Sequence, residues 1–264
     1  MARRPIPLVP LVVGVTSSKG GAGRTSAAVH LGVALARMGL SVEVWDATAD
    51  QDSCAHLAPE RVRQGLALTV RRGPHMQDSA HPFNPAEMPT VHAQTDVVLI
   101  DTSAGMHGVR TALRYPLDLA LVPSQPSPLD MYGTWATLDA LPAMLPRVVL
   151  PFRVLPTDLA GLLPEMREAL AEHAVPVLHA VVHERGDCGE DPRPERADDW
   201  DAVAAELLRE HLTLPEQHAT VSVRVPARLQ RRYKLAALET GQSLAELASA
   251  ALTGHMRALG DDRL

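Results

Sequence analysis

Short apolar segments alternate with longer amphipathic segments along the first 212 residues of the chain. The apolar segments have the length and the continuous hydrophobicity of strands that are buried in a parallel sheet. They occupy residues 11–15, 41–46, 96–101, 117–123, 147–151 and 176–182. The helical patterns occupy residues 27–36, 157–173 and 199–211. This alternation predicts an α/β domain, a parallel sheet with helices on both faces, whose ligands bind at the carboxyl ends of the strands.

The pattern changes near the end of the chain, which predicts a first domain over 1–212 and a second domain over 213–264. Residues 220–226 alternate polar and apolar side chains, as a strand with one exposed face does. A helix that ends at Gly241 follows, and a capping box that starts at Ser243 opens a second helix. One strand and two short helices bury too little apolar surface to fold alone. We therefore expect the second domain to form a homodimer in which the two strands pair.

Composition and charge exclude some classes of protein but do not identify the function. The 264 residues carry a net charge of −6, so nucleic-acid binding cannot be argued from the chain as a whole. The second domain holds seven basic and five acidic residues, which makes it a mildly basic module on an acidic body. Two cysteines, Cys54 and Cys188, make neither a disulfide framework nor a paired metal motif and indicate free thiols in a reducing cytoplasm. No apolar run is long enough to span a membrane.

A glycine-rich segment joins the first predicted strand to the first predicted helix. Its sequence is Ser17-Ser18-Lys19-Gly20-Gly21-Ala22-Gly23-Arg24-Thr25-Ser26. Glycines let the backbone surround an anion, because no Cβ blocks the approach, and the helix N-terminus directs N–H groups at it. The Thr25 hydroxyl is placed to bind a magnesium ion, and Asp101, at the end of a buried strand, is placed to hold that ion's water shell. The segment therefore predicts a site for phosphate and Mg²⁺.

This segment resembles the deviant Walker A motif of the ParA/MinD family, Lys-Gly-Gly-x-x-Lys-Ser/Thr, and residues 96–105 and 117–130 resemble further blocks of that family. The resemblance implies a P-loop NTPase-like fold with ATP and Mg²⁺, bound in a sandwich dimer in which Lys19 reaches the partner's phosphates. It implies catalytic roles for Lys19 and Asp46, the latter matching the first aspartate of Asp-x-Asp-Pro-Gln. The implied nucleotide-binding residues are Lys19, Gly20, Gly21, Ala22, Gly23, Arg24, Thr25 and Ser26, and the implied metal ligands are Thr25 and Asp101.

Three positions depart from the family pattern. Arg24 replaces the lysine that holds the phosphates of its own subunit, and Thr48 replaces the aspartate that orients the attacking water. The segment 150–152 stands where the family usually has an asparagine near the adenine. An arginine still binds phosphate, but its planar fork is not the point charge of a lysine. Two functions stay open: a partition ATPase, which these changes slow or inactivate, and a DNA-binding regulator that does not hydrolyse ATP.

The second domain resembles ribbon-helix-helix proteins, a family that includes Arc/MetJ-type repressors. In that family the paired strands enter the major groove of DNA. By position, Thr220, Ser222 and Arg224 would contact bases and Ser243 would lie at a phosphate. The two resemblances together imply a plasmid or chromosome partition protein that binds a specific DNA site, is nucleoid-associated, and has a ParB-like protein as a possible further partner. They do not imply a MinD-like membrane role, because the DNA module occupies the C-terminal end.

Overall fold

The computed structural model describes residues 10–48, 53–57, 65–73, 91–92, 95–184 and 197–212. They lie in the larger of the two units into which the chain divides, Ile6–Leu214. The predicted ribbon-helix-helix domain at 213–264 lies outside the described residues, and so do Thr220, Ser222, Arg224 and Ser243.

The strands of the described residues form one sheet of seven parallel strands. Their bounds are β1 Leu11–Val15, β2 Val42–Ala47, β3 Leu68–Arg72, β4 Val97–Thr102, β5 Leu119–Ser124, β6 Arg147–Val154 and β7 Val182–His183. The strand order is β3-β2-β4-β1-β5-β6-β7. In this order β4 pairs with β1 on one side and with β2 on the other, so the carboxyl ends of these three strands are neighbours. The predicted parallel sheet is confirmed.

Helices cover both faces of this sheet, as predicted. Their bounds are α1 Arg24–Arg37, α2 Ser53–Leu57, α3 Gly105–Ala112, α4 Pro128–Ala140, α5 Leu162–Glu172 and α6 Ala197–Glu206. A 3₁₀ turn, Asp158–Ala160, precedes α5, and a π-helical turn, Leu207–His211, follows α6. One face of the sheet packs on α1 and α6 in a core that includes Leu31, Leu35 and Val203. The other face packs on α4 and α5 through Leu138 and Met166.

Two predicted elements are shorter in the structure. Of residues 176–182 only the end joins β7, while Val177 makes a single parallel bridge to Val149. The predicted helix 157–173 is interrupted at Gly161, whose φ of −130° and ψ of −95° lie outside the helical region. The interruption divides the segment into the 3₁₀ turn and α5.

The hydrophobic pattern does not reveal β3 or α4. Helix α4 nevertheless has a sequence signal: Ser127 caps it by accepting the N–H of Asp130 at 3.2 Å, and Pro128 occupies its first turn. This helix packs beside the glycine-rich loop. In the part of the chain that the structure describes, no helix has the length and apolar character needed to cross a membrane.

Candidate functional site

The glycine-rich loop connects the carboxyl end of β1 to the start of α1. Gly23 has a φ of 89°, in the left-handed region that side chains rarely adopt. A Cβ at Gly23 would also lie 2.2 Å from the Phe152 ring, so this position requires glycine. Gly20 and Gly21 are exposed, and a Cβ on either residue would meet nothing within 4 Å. The loop therefore packs on the protein at Gly23 and borders open space at Gly20 and Gly21, where backbone N–H groups can reach a phosphate.

Helix α4 holds the beginning of the loop. Lys19 Nζ lies 2.5 Å from Asp130 Oδ2, and the Lys19 side chain is 28% exposed. Ser18 donates its hydroxyl to Gly133 O and its N–H to the Thr137 hydroxyl, both at 2.8 Å. A Cβ at Gly133 would lie 3.0 Å from Lys19 Cβ, so the glycine lets the loop approach the helix closely. Lys19 thus has an ion-pair partner within its own chain.

The Arg24 guanidinium donates to backbone carbonyl groups. Its Nε donates to Thr102 O at 2.9 Å, and its Nη1 donates to Ser17 O at 2.9 Å and to Lys19 O at 2.6 Å. Burial lowers the pKa of Arg24, and the neighbouring Asp101 carboxyl raises it. Three of the N–H groups of Arg24 are therefore used to connect the loop to the end of β4.

Asp101, on β4, is fully buried. Its Oδ2 accepts a hydrogen bond from the Cys54 thiol at 3.4 Å, whereas its Oδ1 has no hydrogen-bond partner among the described residues. Burial raises the pKa of Asp101 to about 6, even though the Thr25 hydroxyl, the Cys54 thiol and Arg24 act to lower it. A buried carboxylate oxygen without a partner, with the Thr25 hydroxyl nearby, fits a position for a divalent cation.

Asp46, on β2, lies opposite Asp101 in the register of the sheet. Its Oδ1 accepts the N–H of Thr48 at 3.0 Å and also the Thr48 hydroxyl, and its Oδ2 accepts the N–H of Cys54 at 3.1 Å. Thr48 thus caps the end of β2. Asp50, the next acidic residue, lies outside the described residues.

Phe152 packs beside the glycine-rich loop. Its ring is 7% exposed, lies against Gly23, and has its centroid 6.1 Å from that of the Trp200 ring. Trp200 in turn stacks on His30 with a centroid distance of 5.6 Å. The chain therefore has an aromatic cluster beside the loop, made of Phe152, Trp200 and His30.

The structure brings the predicted nucleotide, metal and catalytic residues to one edge of the sheet, around the ends of β1, β2 and β4. They are Lys19, Gly20, Gly21, Ala22, Gly23, Arg24, Thr25, Ser26, Asp46 and Asp101. Sequence reasoning missed two neighbours, Asp130 and Cys54. Asp130 could have been found from its capping position after Ser127, whereas Cys54 had no signal beyond its closeness to Asp46 in the chain.

A glycine-rich loop between a strand and a helix, with a buried carboxylate on the neighbouring parallel strand, defines a nucleotide-binding α/β protein of the P-loop class. Residues 13–195 match the family model described as the CobQ/CobB/MinD/ParA nucleotide binding domain. The chain belongs to this family.

Solved structures with the same fold include cell-division and plasmid-partition proteins. The MinC:MinD complex of Aquifex aeolicus has 16% identity and a TM-score of 0.59, over 81% of this chain and 98% of that one. A plasmid partition protein of Borrelia burgdorferi B31 bound to AMPPNP has 14% identity and a TM-score of 0.59, over 76% and 98%. MinD of Pyrococcus horikoshii with Mg-ADP has 18% identity and a TM-score of 0.56, over 75% and 96%. A search of curated protein sequences gave no match.

Proposed function

We propose that this protein is a ParA-type ATPase that partitions DNA and acts as a nucleotide-sandwich dimer. The observation that carries the proposal is the arrangement of Lys19, Thr25 and Asp101 around a glycine-rich loop that is open at Gly20 and Gly21. The AMPPNP and the Mg-ADP bound to the two solved structures of this fold support ATP and Mg²⁺ as the ligands.

Each residue of the site has a distinct proposed role. The backbone N–H groups of the loop bind the phosphates, and the Thr25 hydroxyl and the Asp101 carboxylate hold Mg²⁺. The ion, when bound, offsets the negative charge of the phosphates. Lys19 leaves Asp130 and reaches the phosphates of the partner subunit. Asp46 is the second proposed catalytic residue, and its bonds to Thr48 and Cys54 hold its carboxylate at the end of β2.

Hydrolysis of ATP by the purified full-length protein tests this proposal, with and without DNA from the region upstream of its own gene. We expect turnover that rises with DNA and falls at least about 100-fold in Lys19→Ala, because a cation is lost from the developing charge. Arg37→Ala, which removes an exposed cation at the far end of α1, is the matched control and keeps its activity. Turnover that survives Lys19→Ala would contradict the sandwich-dimer role.

We further propose that residues 213–264 bind a specific DNA site. The alternating residues Thr220, Ser222 and Arg224 support this, with Arg224 the residue best suited to bind guanine. Arg224→Ala should weaken binding to the specific site about tenfold to hundredfold and leave binding to unrelated DNA nearly unchanged. Arg263→Ala, at the chain end, is the control. An equal loss on both DNA sequences would assign Arg224 to phosphate contacts instead.

The second candidate function is a DNA-binding regulator that does not hydrolyse ATP. The bonds of Arg24 to three carbonyl groups and the aromatic cluster at Phe152 favour it, because both occupy parts of the loop environment that other family members use for nucleotide. Calorimetry with Mg-ATP separates the two functions. Tight DNA binding without nucleotide binding would support the regulator, and recovery of ATP binding in Arg24→Lys would identify Arg24 as the cause.

A further inference from the structure

Three side chains that can bind metal meet at the ends of β2 and β4. Asp46, Cys54 and Asp101 each offer a ligand atom, and these atoms all lie within 4.8 Å of one another. Asp46 is 5% exposed, and Cys54 and Asp101 are 0% exposed. The hydrogen bond from the Cys54 N–H to Asp46 holds the cysteine in this position, and its thiol faces Asp101. The cluster is therefore buried and is not a solvated acidic patch.

The hydrogen bonds of this cluster are incomplete. Asp101 Oδ1 is buried and has no hydrogen-bond partner among the described residues, although it belongs to the carboxylate that faces Cys54. A buried carboxylate without full hydrogen bonding costs free energy unless a cation or a donor compensates it. Arg24 is the cation that acts on Asp101, but its three described hydrogen bonds all go to backbone carbonyl groups. The negative charge of the cluster is therefore not fully compensated, so the cluster can bind a further cation.

The ligand atoms indicate which kind of cation fits. The Cys54 Sγ to Asp101 Oδ2 distance is 3.4 Å. Typical zinc–sulfur and zinc–oxygen bonds at a tetrahedral angle place sulfur and oxygen about 3.5 Å apart. Mg²⁺ prefers oxygen ligands only, whereas one thiolate with two carboxylates suits Zn²⁺ and the ions that resemble it.

We propose that Asp46, Cys54 and Asp101 form a binding site for a thiolate-preferring divalent ion of the zinc class when the nucleotide is absent. On binding, the S–H bond of Cys54 breaks, a metal–sulfur bond forms, and the proton passes to the buffer. Asp101 is also the proposed Mg²⁺ ligand, so the zinc-class ion and Mg-ATP exclude each other. This competition rests on the proposed function, whereas the metal site itself does not.

Cobalt is the probe that reports sulfur ligation directly. The full-length protein is stripped of metal with a chelator, dialysed, and titrated with Co²⁺. We expect a thiolate-to-cobalt charge-transfer band that saturates at about one equivalent, and its loss when Zn²⁺ is added, since zinc binds such sites more tightly. A parent protein that shows no such band overturns the proposal, and this measurement requires no variant to fold.

Variants then test which residues bind the metal ion. Cys54→Ser should abolish the band and weaken Zn²⁺ at least about tenfold in competition with a chromogenic chelator, the scale of loss seen even for outer-sphere partners of a metal. Cys188→Ser changes the only other cysteine and should keep both properties. Asp101→Asn should weaken Zn²⁺ to a similar degree. Zinc affinity that is unchanged in Cys54→Ser, or lost in Cys188→Ser, contradicts the site.

A final measurement separates this inference from the proposed function. Mg-ATP is added to the cobalt-loaded protein, and the charge-transfer band is followed. Release of cobalt supports both the metal site and its competition with nucleotide. A band that persists while calorimetry shows no ATP binding leaves the metal site in place and contradicts the ATPase. ATP binding by a protein that never shows the band contradicts the metal site and leaves the ATPase in place.

Discussion

Two buried carboxylates on neighbouring strands have opposite surroundings. Glu43, near the start of β2, is 1% exposed and accepts hydrogen bonds from Trp45 Nε1 at 2.8 Å, the His92 N–H at 2.8 Å and the Thr95 hydroxyl at 2.7 Å. It also forms an ion pair with Arg71. Asp101, near the end of β4, is equally buried but has one oxygen without a partner among the described residues. One carboxylate is satisfied by the protein, and the other is left available for a ligand.

The pKa values of the two groups shift in opposite directions as a result. Burial raises the pKa of Glu43, but its hydrogen bonds and Arg71 together lower the pKa by more than burial raises it. The net shift is therefore downward. For Asp101 burial outweighs the hydrogen bonds, and the pKa rises to about 6. A completely bonded buried acid has a structural role, whereas an incompletely bonded one with a raised pKa is a candidate for a functional site.

The largest effect is expected at the satisfied carboxylate. Glu43→Gln should lower the free energy of unfolding by about 2 to 4 kcal/mol, because the amide loses the charge opposite Arg71 and its NH2 group cannot accept the buried hydrogen bonds that a carboxylate oxygen accepts. Chemical denaturation followed by circular dichroism measures the loss. Glu168→Gln, an exposed glutamate on α5, is the control and should change stability by less than about 0.5 kcal/mol. If both variants were equally stable, the contrast between the two carboxylates would not hold.

Asp101→Asn should raise the free energy of unfolding of the metal-free protein, whereas Glu43→Gln lowers it. The pKa of Asp101 rises from 3.8 to about 6 on folding, so the charged form costs stability at neutral pH. We expect the neutral amide to raise the free energy of unfolding by about 1 to 3 kcal/mol at pH 7.5 in EDTA. A loss of stability in this variant would mean that Asp101 has partners that compensate its charge.

Acid titration distinguishes Asp101 from Glu43, because their contributions to stability change with pH in opposite directions. Between pH 6 and pH 4 the folded protein binds a proton at Asp101 that the unfolded chain does not, so the contribution of Asp101 to stability rises as the pH falls. The contribution of Glu43 is complete above its ordinary pKa and is lost only as the pH falls through its lowered value. Unfolding curves collected across this range should show that Asp101→Asn removes the first effect and keeps the second.

The smallest effect is expected at a third carboxylate, Asp130. The Asp130 carboxylate accepts a hydrogen bond from the Ser127 hydroxyl at 2.5 Å and pairs with Lys19. The Glu43 carboxylate, in contrast, accepts three hydrogen bonds besides its ion pair. Both ion pairs have a partly exposed cation, and solvent screens such pairs. Asp130→Asn should change the free energy of unfolding by no more than about 1 kcal/mol, with Asp139→Asn, an exposed aspartate on the same helix, as control. A loss as large as that of Glu43→Gln would show that the number of hydrogen bonds to a buried carboxylate does not determine the size of its effect on stability.

Local pattern was enough to predict the glycine-rich loop and its neighbours. The strand, turn and helix around Lys19 and Thr25 are contiguous in the chain, and Asp101 ends an apolar run that is typical of a buried strand. The same reasoning could not predict the partners of Arg24, because the Thr102 carbonyl lies 78 residues away in the chain. It also assigned no role to Cys54, whose thiol meets Asp101 across 47 residues.

The sequence by itself determined the parallel α/β architecture, the phosphate loop and the carboxylate beside it, since periodic hydrophobicity and glycine act over a few neighbouring residues. Only the tertiary structure decided which polar groups are satisfied. Glu43 and Asp101 are both acids within predicted strands, and the hydrophobic pattern around them does not distinguish the satisfied carboxylate from the available one. That difference depends on donors such as Arg71 and Thr95, which reach Glu43 from other segments, and on their absence around Asp101 Oδ1 among the described residues.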